Sequence, residues 1–131
     1  MAVELQVLGW AGVLALVQLV LFAVPANLEI GSAWLAGPRD DAPPARLSAR
    51  AARLQRAFLN HLEGLVMITP AILVVTLGGA SSTLTEAAAS LYLVARLVYV
   101  PIYAMGIAWV RSAVWGAGFV ATLALYLLAL V

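Results

Sequence analysis

Four apolar runs, each close to twenty residues long and joined by short polar segments, dictate what this chain can fold into. They cover residues 7–26, 57–77, 87–105 and 113–131. A helix that crosses the hydrocarbon layer of a bilayer needs about 20 such residues, so each run has the length of a membrane span. Composition agrees: 65% of the 131 residues are apolar and 10% are charged, against about a quarter charged in a soluble domain. A soluble monomer of this size would expose much of the excess. The chain therefore reads as an all-α membrane protein, a single domain over residues 1–131 forming a four-transmembrane-helix bundle.

The segments between the runs carry the local signals. The first run is interrupted only by Gln18 and follows Glu4 rather than a basic stretch; it is long for a signal peptide and reads as a retained span. Pro25 is expected to bend it, with amphipathic helix continuing through Asn27, Glu29 and Trp34 to Ala36. Residues 37–44 (Gly-Pro-Arg-Asp-Asp-Ala-Pro-Pro) form a breaker-rich loop. A second helix is expected from near Ser48, and a turn over Gly78 to Ser82 leads into a third. Thr83 and Glu86 have the spacing of a capping box for that third helix. Gly106 to Arg111 forms a tight connection, and the fourth span starts at about Ala113.

All seven basic residues are arginines, and the chain has no cysteine. Arg39, Arg46, Arg50, Arg53 and Arg56 lie in or beside the first loop, and Arg111 lies in the last connection. The middle connection and both termini carry no basic side chain. The positive-inside rule then places the arginine loops in the cytoplasm and both termini outside. Nucleic acid is excluded as a partner, because a nucleic-acid binder spreads its basic residues over a solvated face. Without cysteine, any thiol chemistry must take its thiol from a ligand.

Polar residues inside the spans are the functional signal, since a charge at bilayer depth costs at least about 2.5 kcal/mol and needs a partner. Arg53, Arg56, Asn60 and Glu63 fall within about 80° of the second helix, and Tyr92, Arg96, Tyr99 and Tyr103 within about 60° of the third. Two such stripes can act as interhelical glue, at roughly 0.6 kcal/mol per contact, or enclose a polar ligand. The clustering of arginines toward the cytoplasmic end, with only one carboxylate among them, favours an anionic ligand. His61 points away from Asn60 by about 100° and reads as a satisfied packing residue. The absence of a second His or any Cys argues against a zinc or haem site. Trp10, Trp34, Trp109 and Trp115 read as interfacial belts.

The run Arg53-Leu54-Gln55-Arg56-Ala57-Phe58-Leu59-Asn60-His61-Leu62-Glu63 resembles the R-x-x-R-A-x-x-N-x-x-E signature of the MAPEG superfamily, membrane-associated proteins in eicosanoid and glutathione metabolism. Arg96, Tyr99 and Tyr103, followed by Arg111-Ser112, resemble its third-helix and following-loop pattern. The turn at Gly37-Pro38-Arg39-Asp40 resembles that of bacterial members, which implies a bacterial inner membrane. The resemblance implies a homotrimer with glutathione bound between neighbouring subunits in a cleft that faces the cytoplasm. Arg56, Asn60 and Glu63 would hold glutathione from the second helix, and Arg96, Tyr99 and Tyr103 from the third. Arg111 and Ser112 would activate its thiol. The implied activity is a glutathione-dependent transferase or peroxidase acting on apolar electrophiles or lipid hydroperoxides.

Phe58 stands where relatives often have a polar, ligand-contacting residue, and Gly64-Leu65-Val66 departs from the pattern of eukaryotic members, in which an aromatic residue and a proline soon follow the glutamate. They motivate an alternative, a non-catalytic lipid-binding or scaffold protein of the same fold. A small multidrug exporter fits poorly, because the first span holds Gln18 where such a protein needs a deep carboxylate.

Overall fold

The structure, a computed structural model, describes residues 1–131. It contains five helices: α1 (Val3–Glu29), the short α2 (Ser32–Ala36), α3 (Ala49–Leu77), α4 (Thr83–Met105) and α5 (Ala108–Leu130). Four of them are long and apolar enough to cross a membrane, which makes the chain an integral, multi-pass membrane protein. Each helix overruns its apolar run. In α3 the overrun is at the start, from Ala49 to the first residue of the run at Ala57, about two turns. Arg50, Arg53 and Arg56 lie on this extension.

Local chemistry sets most of the boundaries. α1 runs unbroken through Pro25 and stops at Gly31, whose φ of 102° is a conformation that L side chains rarely adopt. The amphipathic continuation expected from Asn27 to Ala36 is therefore divided in two by this glycine. Ser48 caps α3 by accepting from the Ala51 amide at 3.2 Å. The Ser48 amide donates to Glu29 Oε2 at 2.8 Å, which clips the two ends of the loop together. The capping box of α4 lies one residue earlier than the sequence spacing indicates: it joins Ser82 and Thr85, not Thr83 and Glu86. Thr85 sits one turn in and has a buried partner on α1, which fixes the box at that position. The last connection is only Gly106 and Ile107, with Gly106 left-handed at φ 76°. Arg111 and Ser112 consequently project from the first turns of α5 rather than from a loop.

The four long helices form two triangles that share an edge. α3 and α4 pack against each other; α1 packs on one side of this pair and α5 on the other, and α1 does not touch α5. Small residues allow close approach, as in membrane bundles generally: Ala11, Ala57, Ala71, Ala89 and Ala121 are buried, and Val7, Ile68, Ile72, Val75, Tyr92 and Leu125 fill the space between them. The pair α3–α4 thus has two faces with different neighbours: the space left between α1 and α4 is lined by apolar side chains alone, whereas the polar stripes meet on the α5 side.

Candidate functional site

On the α5 side, the helical period brings the two polar stripes face to face. Asn60 on α3 accepts a hydrogen bond at 2.7 Å from Arg96 Nη1 on α4. About one turn along α3 and two along α4, Arg56 Nε donates to the Tyr103 hydroxyl at 3.2 Å. The Tyr103 ring stands edge-on to Tyr99, with centroids 5.4 Å apart, and Arg111 of α5 stacks its guanidinium 4.9 Å from the same ring. Tyr103 is therefore flanked by two cations from two helices, and its ring quadrupole attracts both.

Arg56, Asn60, Glu63, Tyr99, Tyr103, Arg111 and Ser112, with Leu59 and Trp115, line a cleft of about 480 Å³. Seven of the eight residues singled out from the sequence meet there. The eighth, Arg96, lies at the floor and lines an adjoining compartment of about 390 Å³ with Val66, Met67, Phe119, Thr122, Leu123 and Tyr126. Asn60, Glu63 and Trp115 line both spaces, so the two adjoin. A polar chamber lies directly beside an apolar one.

Three guanidiniums (Arg56, Arg96 and Arg111) and one carboxylate (Glu63) line this combined space. The excess of positive charge at bilayer depth suits an anionic guest, because a cation without a counter-charge is costly in a poorly hydrated cleft. Arg96 is 6% exposed and its Nε has no hydrogen-bond partner. Its guanidinium lies between the rings of Tyr92 and Tyr99, at 5.2 and 5.8 Å. Ser112 Oγ donates back to the Ala108 carbonyl at 3.2 Å, so its lone pairs, rather than its proton, are what it offers the cleft.

Two residues lie elsewhere than the sequence pattern placed them. Arg53, read as part of the α3 stripe, does not line the cleft; it packs against the α4–α5 turn, where Gly106 leaves space for its guanidinium. Trp115, read as part of an interfacial belt, forms the shared wall of both compartments and stacks on Phe119 at 5.7 Å with the rings 14° apart. The signal for it was present in α5: Arg111, Trp115, Phe119, Thr122 and Tyr126 recur at spacings of four, four, three and four and share a wedge of about 80°. His61 takes no part in the site. It is buried on the α1 side, and its Nε2–H donates to the Ala11 carbonyl at 2.8 Å.

A family model described as the MAPEG family matches residues 7–131 of this chain. No curated protein and no solved structure matches it.

Proposed function

The chain belongs to the MAPEG family, integral membrane proteins of eicosanoid and glutathione metabolism, and on that premise we propose that it is a glutathione-dependent transferase or peroxidase acting on apolar electrophiles or lipid hydroperoxides. The observation that carries this reading is a cationic chamber set directly against an apolar one, with Asn60, Glu63 and Trp115 lining both. Glutathione has two carboxylates, one ammonium group and a thiol. In this proposal Arg56 and Arg96 take carboxylates, a geometry for which guanidinium is well suited, Glu63 accepts from the ammonium group, and Asn60 and the tyrosines fix the peptide. Arg111 and Ser112 stand near the thiol.

A free thiol with a pKa of about 8.5 is mostly protonated at neutral pH. The Arg111 guanidinium, in a cleft with little water, favours the thiolate. The thiolate attacks an electrophilic carbon held in the apolar chamber; a C–S bond forms and the leaving group departs with its electron pair. With a hydroperoxide it attacks the distal oxygen, the O–O bond breaks to give a sulfenic acid and an alcohol, and a second glutathione completes the disulfide with release of water. The acceptor enters from the bilayer, and glutathione enters from the arginine-rich side, which the positive-inside rule makes cytoplasmic.

Arg56 and Glu63 are exposed on a single protomer, and charges at bilayer depth face protein, ligand or water rather than lipid. This supports a homotrimer in which a neighbouring subunit closes the cleft. The size of the apolar chamber, about 390 Å³, also supports a second reading, a non-catalytic protein that holds a lipid there.

The test is difference spectroscopy of the purified protein with glutathione. A thiolate band is expected in the wild type and is absent from Arg111→Ala, whose kcat with an aromatic electrophile falls by about 100-fold, the scale of losing one preorganised stabiliser of developing charge. Bound lipid with no turnover and no thiolate band selects the second reading. No saturable glutathione binding at millimolar concentration eliminates the first.

A further inference from the structure

Gly64 lies one turn beyond Asn60 on α3, and it is buried. A methyl group at its Cα would lie 2.5 Å from Arg96 Nη2, 2.8 Å from Arg96 Cζ and 2.7 Å from the Tyr92 hydroxyl. These are closer than Cβ contacts ever come, so the guanidinium of Arg96 occupies the volume that any other residue at 64 would fill. On the opposite side, Gly118 of α5 brings bare backbone toward the same side chain: a Cβ there would be 3.8 Å from Arg96 Nε. Arg96 is therefore held in a slot between α3 and α5, with a glycine on each of them and the Tyr92 and Tyr99 rings 5.2 and 5.8 Å from its guanidinium.

We infer that Gly64 is a positioning residue for the anion site: it admits Arg96 to α3, and Arg96 in turn fixes which way the Asn60 amide faces. Because Asn60 Oδ1 accepts from Arg96 Nη1 at 2.7 Å, the amide nitrogen is the end left for the cleft, and Asn60 presents donors to a ligand oxygen. If Arg96 were pushed out, Asn60 would be free to turn its oxygen inward, and the chamber would lose a fixed cation and a fixed donor together. The ligand class selected is one with a carboxylate beside a carbonyl oxygen, as at the ends of a short peptide. This rests on the glutathione reading above and names the residue that makes the site's geometry achievable.

The experiment compares Gly64→Ala, Arg96→Lys and the double variant, with Gly9→Ala as control, since a Cβ at Gly9 meets nothing within 4 Å. Calorimetry with glutathione and thermal unfolding in detergent are the two readouts. Gly64→Ala is expected to weaken glutathione binding by about tenfold or more, the loss of one charge-assisted hydrogen bond, with kcat changed less than KM. The slimmer ammonium of lysine clears the methyl group, so the double variant is expected to be no worse than Arg96→Lys alone. The two substitutions act through one contact, and their effects are strongly non-additive. Affinity of Gly64→Ala within about twofold of wild type would overturn the inference, as would simple addition of the two losses. Should Gly64→Ala fail to fold, the Arg96→Lys background is expected to restore folding, and failure to do so also overturns it. If the wild type binds no glutathione, the functional reading fails, and the Gly64–Arg96 coupling is still decided by the additivity or non-additivity of the melting temperatures.

Discussion

The two faces of the α3–α4 pair treat polar groups in opposite ways. On the α1 side, polarity is closed off. His61 is paired with the Ala11 carbonyl, and Glu4, fully buried, accepts from the Thr85 hydroxyl at 2.6 Å. Both His61 and Glu4 are buried, as are Val7 and Ala11 of α1, which belong to the apolar core. On the α5 side, one step along the sequence from His61, Asn60 faces a chamber, and Arg56 and Glu63 stand open beside it. The first face pairs these groups within the fold and encloses the rest: Glu4 Oε2, His61 Nδ1 and both polar side-chain atoms of Gln18 are buried without a partner. The second holds three cations against one carboxylate and gives two of them neutral partners only, Asn60 and Tyr103, the arrangement expected where a guest supplies the missing counter-charge. If the contrast is real, substitutions on the closed face change stability and spare binding, and those on the open face do the reverse.

The largest effect is expected at Arg96. Replacing it with methionine removes the charge-assisted bond to Asn60, and glutathione affinity is expected to fall by about 2 kcal/mol, roughly 30-fold. Yet the same change also removes a buried cation that has no carboxylate partner in the chain, so the melting temperature is expected to stay level or rise. Calorimetry and thermal unfolding of the same preparation check both signs. A lower melting temperature with unchanged affinity would mean that the open face is glue after all.

Next comes the closed face. Thr85→Val keeps the shape of the side chain and strips the only partner from Glu4 Oε1, while Glu4 Oε2 already has none. A destabilisation of about 1–3 kcal/mol is expected, the cost of leaving a buried polar group unpaired, with glutathione affinity within twofold of wild type. Adding Glu4→Leu, so that both partners become apolar, is expected to recover most of the loss, since a pair removed together is nearly neutral. Thermal melts of the single and double variants measure this.

This contrast also marks where the sequence was readable. The residues of the cleft on α3 and α4 were legible because a helix fixes the angle between Arg56, Asn60 and Glu63, and between Arg96, Tyr99 and Tyr103, before any tertiary contact forms. A polar stripe on an apolar helix also has only one sheltered direction to face. The helices α1 and α5 carry no such stripe of charge. A helix that is apolar on nearly all sides declares that it is embedded but only weakly which side meets protein, so the rotation of α5 that carries Trp115 into the cleft is marked only by the alignment of Arg111 with Trp115, Phe119, Thr122 and Tyr126. Arg53 was misplaced for a related reason. Its position on the wheel is within about 20° of that of Asn60, but its depth along α3 puts it level with the α4–α5 turn, where Gly106 offers room. Glu4 looked like a terminal charge because only the packing of α1 on α4 brings Thr85 to it. The capping box moved by one residue through the same contact.

The smallest and most discriminating effect is expected at Tyr103, where the two kinds of polar contact coexist. Its hydroxyl accepts from Arg56 Nε, which resembles the paired groups of the closed face, while its ring holds Arg56 and Arg111 at 5.9 and 4.9 Å beside the open chamber. Tyr103→Phe removes only the hydroxyl. If the bond serves the fold, losing it costs stability, by roughly 0.6 kcal/mol on the scale of membrane interhelical contacts. If it serves the site, Arg56 loses its orientation, and glutathione affinity is expected to fall by about 1 kcal/mol, roughly fivefold, with the melting temperature unchanged. The second outcome is expected, because Arg56 is exposed on the protomer and an exposed guanidinium gives the fold little. The ring persists in phenylalanine, so Arg111 keeps its seat and the thiolate band is expected to survive at saturating glutathione. Tyr103→Leu, which removes the ring as well, is expected to diminish that band. Equal thiolate signals from the Phe and Leu variants would show that Arg111 is held by something other than this ring.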